Sequence, residues 1–199
     1  MANNIKIKTN VRSVYKDIIK SNKGLANEIK KIVDKKSLKI QTEAIKEFNF
    51  HPVTKEIDRG PNASNTSGLT GGYGNLFSFI GFEYSDKPTI PIKAILNKKI
   101  ENKIGRISNS GKFNVNFLIP SRSEIYNVTP LPWASGSSWA EGIEKGIGNL
   151  GSFIYSSRSV SGSRSGSGIQ TQKKEALTFK TTSYISKLLE DLRKKLKNL

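Results

Sequence analysis

Between residues 25 and 50 the apolar residues return at three- and four-residue steps: Leu25, Ile29, Ile32, Val33, Ile40, Ala44 and Phe48. That period belongs to an amphipathic α-helix. Lys30, Lys31, Lys35, Lys36, Lys39 and Lys46 fall among the remaining positions, so the opposite face is cationic. Gly24 interrupts the pattern upstream. Pro52 closes it, because a proline drives the residue before it out of the helical region. At 3.6 residues per turn this is roughly seven turns, long for a small domain. A helix of that length with one apolar stripe packs across a sheet, and the rest of the chain must supply one.

Strand patterns are present but short. Ile5-Lys6-Ile7-Lys8 alternates apolar and basic residues, and residues 112–120 alternate Phe113, Val115 and Phe117 with Lys112, Asn114 and Asn116, the period of a half-buried strand. Leu76-Phe77-Ser78-Phe79-Ile80-Gly81-Phe82 reads as an aromatic strand. Residues 11–20 fit a short helix. Pro88 and Pro91 bracket a turn before a second helix over 92–103, and Pro130-Leu131-Pro132-Trp133 marks an irregular connection. Trp139 to Ile147 is helix-compatible until glycines end it. Residues 182–199 carry a stripe of Ile185, Leu188, Leu189, Leu192, Leu196 and Leu199 with Lys and Arg opposite. The order gives an α+β fold. A small, mainly antiparallel sheet is packed by a long N-terminal helix and a C-terminal amphipathic helix.

Two stretches are unlike the rest. Residues 58–74 collect turn formers, including Gly60-Pro61, Asn62, Asn65, Gly68 and Gly71-Gly72. Residues 151–170 are dominated by Ser, Gly and Arg and hold too little apolar surface to offset their ordering entropy, so a flexible loop is expected. The expectation is one domain over residues 1–199, with 58–74 and 151–170 as extended loops or assembly arms.

Charge narrows the partners. The chain has 33 Lys and Arg against 16 Asp and Glu, a net charge of +17. Residues 1–50 hold twelve basic residues against five acidic, and residues 170–199 eight against three. The excess is therefore distributed, with no basic tail on a neutral body, and favours a polyanion or an acidic protein partner. Without cysteine, disulfides, thiolate metal sites and a Cys nucleophile are excluded. The first residues are polar, with no signal-peptide core, and no run reaches the ~18–20 apolar residues that span a bilayer. A soluble protein made in the cytosol, without membrane contact, is the expectation.

Catalytic chemistry finds little footing. The one histidine, His51, reads as a polar residue at a helix C-terminus, where partial positive charge suits the helix dipole. No metal-ligand spacing of His or Asp appears. Glu141 and Glu144, three apart beside Lys145, fit capping, pairing or an interface better than acid–base work. Gly71-Gly72-Tyr73-Gly74 lacks the Gly-Lys-Ser/Thr ending of a phosphate loop. We therefore expect no enzyme activity, no metal and no cofactor.

One segment, Trp139-Ala140-Glu141-Gly142-Ile143-Glu144-Lys145-Gly146, has the form aromatic-Ala-x-x-aliphatic-Glu-x-Gly and leads into the Ser/Gly/Arg stretch. Upstream stands Gly74-Asn75-Leu76-Phe77-Ser78-Phe79-Ile80, behind the long charged helix. In this order the chain resembles the head–tail joining, or tail-completion, proteins of tailed bacteriophages. Their pattern runs from a charged helix through a Gly-x-Leu-x-x-Ser-Ile strand start and an aromatic-Ala-x-x-Val-Glu-aromatic-Gly segment to a glycine-rich loop and a final helix. The likeness spans about half the chain. Residues 58–72 are an addition, Ser78 falls one place early, Lys145 stands where the family has an aromatic, and residues 85–135 have no counterpart.

The resemblance implies a structural virion protein, a ring of six or twelve copies in the neck. It would be assembled in the host cytoplasm and would meet other neck, portal or connector and tail-tube proteins, with non-specific contact to packaged DNA. On this reading the protein-interface candidates are Trp139, Glu144, Arg158, Arg164, Leu189, Leu192 and Leu196. Trp139 serves equally as a core anchor. The nucleic-acid-facing candidates are Lys30, Lys31, Lys35, Lys36 and Lys39. The alternative from another class is a stand-alone, non-specific nucleic-acid-binding protein; an RNA-scaffold protein of the ribosomal kind fits the Ser/Gly loop less well.

Overall fold

The computed structural model describes residues 3–7, 23–70, 74–98, 100–105, 113–132, 134–146 and 181–199. Strand β1 (Asn3–Ile7) is followed by the long helix α1 (Lys23–Phe50), α2 (Pro52–Asp58) and a single 3-10 turn (Gly60–Asn62). Helices α3 (Leu76–Ile80) and α4 (Ile90–Asn97) lead to strands β2 (Glu101–Ile104) and β3 (Phe113–Leu118). Then come α5 (Arg122–Asn127), a hairpin of β4 (Pro130–Leu131) and β5 (Ala134–Ser138), α6 (Trp139–Lys145) and α7 (Ile185–Lys197). This is α+β. The main sheet has the order β1-β3-β2 and is antiparallel throughout, with Ile5 opposite Val115 and Ile104 opposite Val115 on the other side.

The two amphipathic helices meet as their periodicity requires. On α1, Val33, Ala44 and Phe48 are buried, while Lys35, Lys39 and Lys46 face solvent. From α7, Ile185, Leu188, Leu189, Leu192 and Leu196 are buried. The helices run in opposite senses: Tyr184, at the start of α7, stacks on Phe48 at 5.8 Å between ring centroids, and Lys36 donates to the Leu199 carbonyl at 3.2 Å. Helix α7 also touches β1, α5 and α6, so it closes the core over the sheet. Val115 and Phe117 of β3 point into that core, and Asn114 and Leu118 point away.

Three expectations change. Residues 76–82 form a helix and turn, not a strand. All five residues of α3 are buried, so no polar face exists to show a period, and a short apolar run fits either element. The ends decide. The Asn75 side chain accepts the Ser78 N–H at 3.0 Å. Gly81, at φ +87°, turns the chain left-handed. Its N–H reaches the Ser78 carbonyl at 3.1 Å and the Phe82 N–H reaches Phe77 at 3.2 Å, the paired bonds of a Schellman motif. Second, the helix expected over 92–103 stops at Asn97. Pro91 sits in the first turn, where its missing N–H costs nothing. The buried Gln41 amide donates to the Leu96 and Lys98 carbonyls at 2.7 and 2.6 Å, fixing the exit that lets β2 join the sheet. Third, Pro130 and Leu131 pair with β5 across a bulge, which gives the irregular connection a register.

Of the glycine-rich stretch, residues 58–70 are anchored from α2 and from Asn75. Glu56 is fully buried, and its carboxylate accepts the Ser67 N–H at 2.8 Å and the Leu76 N–H at 2.7 Å. Asn75 donates to the Pro61 and Ala63 carbonyls at 2.7 and 2.9 Å. The helix expected over 11–20, and the Ser/Gly/Arg loop over 151–170, lie outside the described residues.

Because Leu189 has no exposure, Leu189→Ala should lower unfolding free energy by about 2–5 kcal/mol through lost transfer energy and a residual cavity. Leu38, 59% exposed on the opposite side of α1, should change stability by less than about 0.5 kcal/mol when made alanine. Denaturant titration followed by circular dichroism measures both.

Candidate functional site: the Glu144 clasp and the basic face of the long helix

Ser138 ends β5 and starts α6. Its hydroxyl accepts the Glu141 N–H at 3.1 Å, an N-cap that satisfies one otherwise unpaired helix donor, and shares a hydrogen bond with the Thr129 hydroxyl at 2.7 Å. The Trp139 N–H donates to the Thr129 carbonyl at 2.9 Å. These bonds aim the Trp139 ring inward, where it is 1% exposed. Phe82 meets it edge-on at 5.9 Å and Tyr184 lies 6.4 Å away. Ala140 and Ile143, one and four positions on, are fully buried on the same face. Lys145 pairs with Glu141 at 2.8 Å on the outer face, an exposed pair of small energetic weight.

Glu144 does more. Oε1 accepts the Tyr184 N–H at 3.0 Å, the Ser186 N–H at 2.7 Å and the Ser186 hydroxyl at 2.8 Å. Oε2 accepts the Tyr126 hydroxyl. Tyr184 stands at the N-cap of α7 and makes no side-chain cap of its own. Glu144 supplies that cap from another helix, satisfying unpaired N–H groups and placing negative charge at the positive end of the α7 dipole. Burial opposes ionisation of this carboxyl, yet the four donors outweigh it and hold its pKa below the ordinary value. For Tyr126, burial and then the bond to Glu144 push the phenol pKa up, so it stays a donor.

His51 belongs to the same end of α7. It follows α1, as expected, but it does not offer positive charge to that helix. Its Nδ1 accepts the Val53 N–H at 3.3 Å and caps α2. The ring tilts against Tyr184 at 4.8 Å. Burial lowers its pKa, outweighing the opposing pull of the Ser183 backbone, and the nearby Lys187 charge lowers it further. A capping Nδ1 must be unprotonated, so geometry and charge agree. A cleft of about 710 Å³ opens here, lined among others by Glu47, Phe48, His51, Ser183, Lys187 and Asp191. Lys195 at its edge is held by Glu47 at 2.6 Å and Glu43 at 3.6 Å.

The candidates therefore separate. Trp139 is a core anchor, and Glu144 is a clasp within the chain. Leu189, Leu192 and Leu196, expected at a protein interface, are covered by the chain's own core. The α7 stripe packs against the Val33, Ala44 and Phe48 side of α1 and is consumed in the fold, whereas Ile32 of the α1 stripe stays 55% exposed. Arg158 and Arg164 lie outside the described residues. Lys30, Lys31, Lys35, Lys36 and Lys39 are exposed on α1. Of these, Lys31 pairs with Glu28 at 2.9 Å and Lys36 meets the Leu199 carbonyl. Sequence reasoning missed Tyr126, Tyr184 and Ser186 as partners of Glu144, and Glu56 as a loop anchor. No local signal pointed to them, since Thr182 and Ser183, ordinary N-cap types, stand just before α7 in the sequence. Among the described residues there is no cluster of His, Cys, Asp or Glu that could hold a metal ion, and no helix long and apolar enough to cross a membrane.

No protein-family model, curated protein or solved structure matches the chain.

Both clasps make stability fall in acid, in separate windows. The folded-state pKa of His51 lies below its ordinary 6.5, so its contribution is complete above pH 6.5 and declines as the pH falls through the folded value. That of Glu144 lies below 4.5, so its share is lost only at lower pH. His51→Asn, which keeps a capping oxygen, should remove the first decline and leave the second. Glu144→Gln should cost about 1.5–3 kcal/mol at neutral pH, the range for hydrogen bonds to a charged group. Urea titrations across pH measure both.

Proposed function

We propose that this chain is a structural virion protein of a tailed phage. It would act as a head–tail connector or tail-completion adaptor, forming a homo-oligomeric ring in the neck between the portal-connector and the tail. It works without catalysis or cofactor, is assembled in the host cytoplasm and joins other neck, portal and tail-tube proteins.

One observation supports this most directly. Every residue type in the aromatic-Ala-x-x-aliphatic-Glu-x-Gly motif has a mechanical task. Trp139, Ala140 and Ile143 fix α6 in the core, Glu144 clasps α7, and Gly146, at φ +105°, turns the chain out of the helix. A Cβ at Gly146 would lie 3.6 Å from Cγ2 of Thr181. Gly146 and Thr181, the described residues that flank 147–180 in sequence, therefore lie side by side. A segment rich in Ser, Gly and Arg held this way suits an arm that orders on neighbouring subunits. A symmetric ring gives every copy the same neighbour to receive it.

Native mass spectrometry tests the reading. Six or twelve copies of the 22.0 kDa chain are expected. Replacing residues 148–180 with a short Gly-Ser linker should leave a cooperatively folding monomer that no longer assembles. A full chain that stays strictly monomeric and is missing from purified particles would remove the proposal.

A further inference from the structure

Lys35, Lys39 and Lys46 form a row on α1. At about 100° per residue they fall within about 40° of arc, and at ~1.5 Å rise they span roughly 16 Å along the axis. All three are exposed and lie opposite the buried Val33, Ala44 and Phe48. Among the described residues none of the three meets a carboxylate, whereas Lys31, Lys93, Lys145, Lys194 and Lys195 each do. The row is thus a line of uncompensated charge on a rigid rod, within a chain of net charge +17.

We infer that this row is a contact surface for the phosphate backbone of nucleic acid, made without reading sequence. Charge complementarity requires an anionic occupant and argues against a second copy of this strongly cationic chain. The choice of residue favours nucleic acid over acidic protein. Protein interfaces are enriched in Arg and aromatics and depleted in Lys. Lysine, a point charge on a flexible stem, meets a phosphate without fixed geometry. A duplex presents one charge per ~1.7 Å of axis, so a straight cationic rod finds phosphates along its whole length. Nothing on the row resembles the bidentate Arg, Asn or Gln contacts that identify bases. The inference rests on exposure and charge, so it survives or fails independently of the ring.

The test is fluorescence anisotropy of the full chain with a short mixed-sequence duplex, titrated between about 50 and 200 mM salt, the range over which counterion release is read. Three phosphate contacts contribute a slope of about −2.7 in log K against log salt, at ~0.9 per contact. The triple variant Lys35→Gln, Lys39→Gln, Lys46→Gln should flatten the measured slope by about that amount. Glutamine has nearly the helix propensity of lysine, and circular dichroism checks that α1 persists. A control triple, Lys87→Gln, Lys98→Gln, Lys103→Gln, removes equal charge from exposed positions elsewhere and should shift the slope by less than about one unit. Equal flattening by both triples would overturn the proposal by assigning binding to the overall field. So would undetectable binding, or binding to poly-glutamate as tight as to the duplex.

Discussion

The start of α7 has no capping side chain of its own, and the structure meets that need with a carboxylate from a different helix. Glu144 takes two backbone N–H groups and a hydroxyl at the α7 N-terminus on one oxygen and the Tyr126 hydroxyl on the other. Tyr126 lies on α5, so three helices converge on a single anionic group. The consequence is positional. With its first turn pinned, α7 can only lay its leucines along α1, where Phe48 and Tyr184 stack and Lys36 reaches Leu199. Burial of that stripe contributes at ~25 cal/mol per Å² of apolar surface. It has no directional preference, so the clasp sets which end of α7 sits where.

Legibility in the sequence follows the same division. Where one face is wet and the other dry, the pattern is explicit: α1, α7 and β3 are readable from Val33–Ala44–Phe48, from Leu188–Leu189–Leu192–Leu196 and from Val115–Phe117. Where both faces are dry, it is silent. Leu76 to Ile80 is buried all round, and only Asn75 and Gly81 distinguish helix from strand. Residues 92–103 kept one hydrophobic rhythm across two elements, because the break is made by Gln41, fifty-five positions from its partner Leu96. The candidate site divides likewise. Trp139 to Gly146 stands out as a motif, but the partners of Glu144 at 126, 184 and 186 are brought in by the fold alone. Exposed leucine stripes and buried ones look identical in sequence, and so Leu189, Leu192 and Leu196 read as an interface until α1 covers them.

His51 shows how a single residue changes meaning when a second helix follows directly. At the end of α1 a histidine suits the dipole as a cation. Once Pro52 begins α2, the same ring faces that helix's unpaired N–H groups and serves better as an acceptor. Burial beside Tyr184 and the positive Lys187 reinforce the neutral form. Two helix ends compete for opposite charge states of one imidazole, and the N-terminus prevails because it forms a direct hydrogen bond where the C-terminus offers only a dipole.

The chain has about half as many acids as bases, and how it deploys those acids shapes its surface. Glu56 and Glu144 are turned inward onto backbone amides. Glu124 completes a capping box with Ser121, and Asp86 accepts the Glu83 N–H. Each such carboxylate is directed to a loop or a helix start instead of a lysine. Others form pairs within or between helices, as Glu28 does with Lys31 and Glu47 with Lys195. Few then remain to neutralise α1, and its outer face keeps Lys35, Lys39 and Lys46 unpaired among the described residues. The cationic face is the counterpart of the anionic clasps: the carboxylates that organise the interior are unavailable to balance the outside.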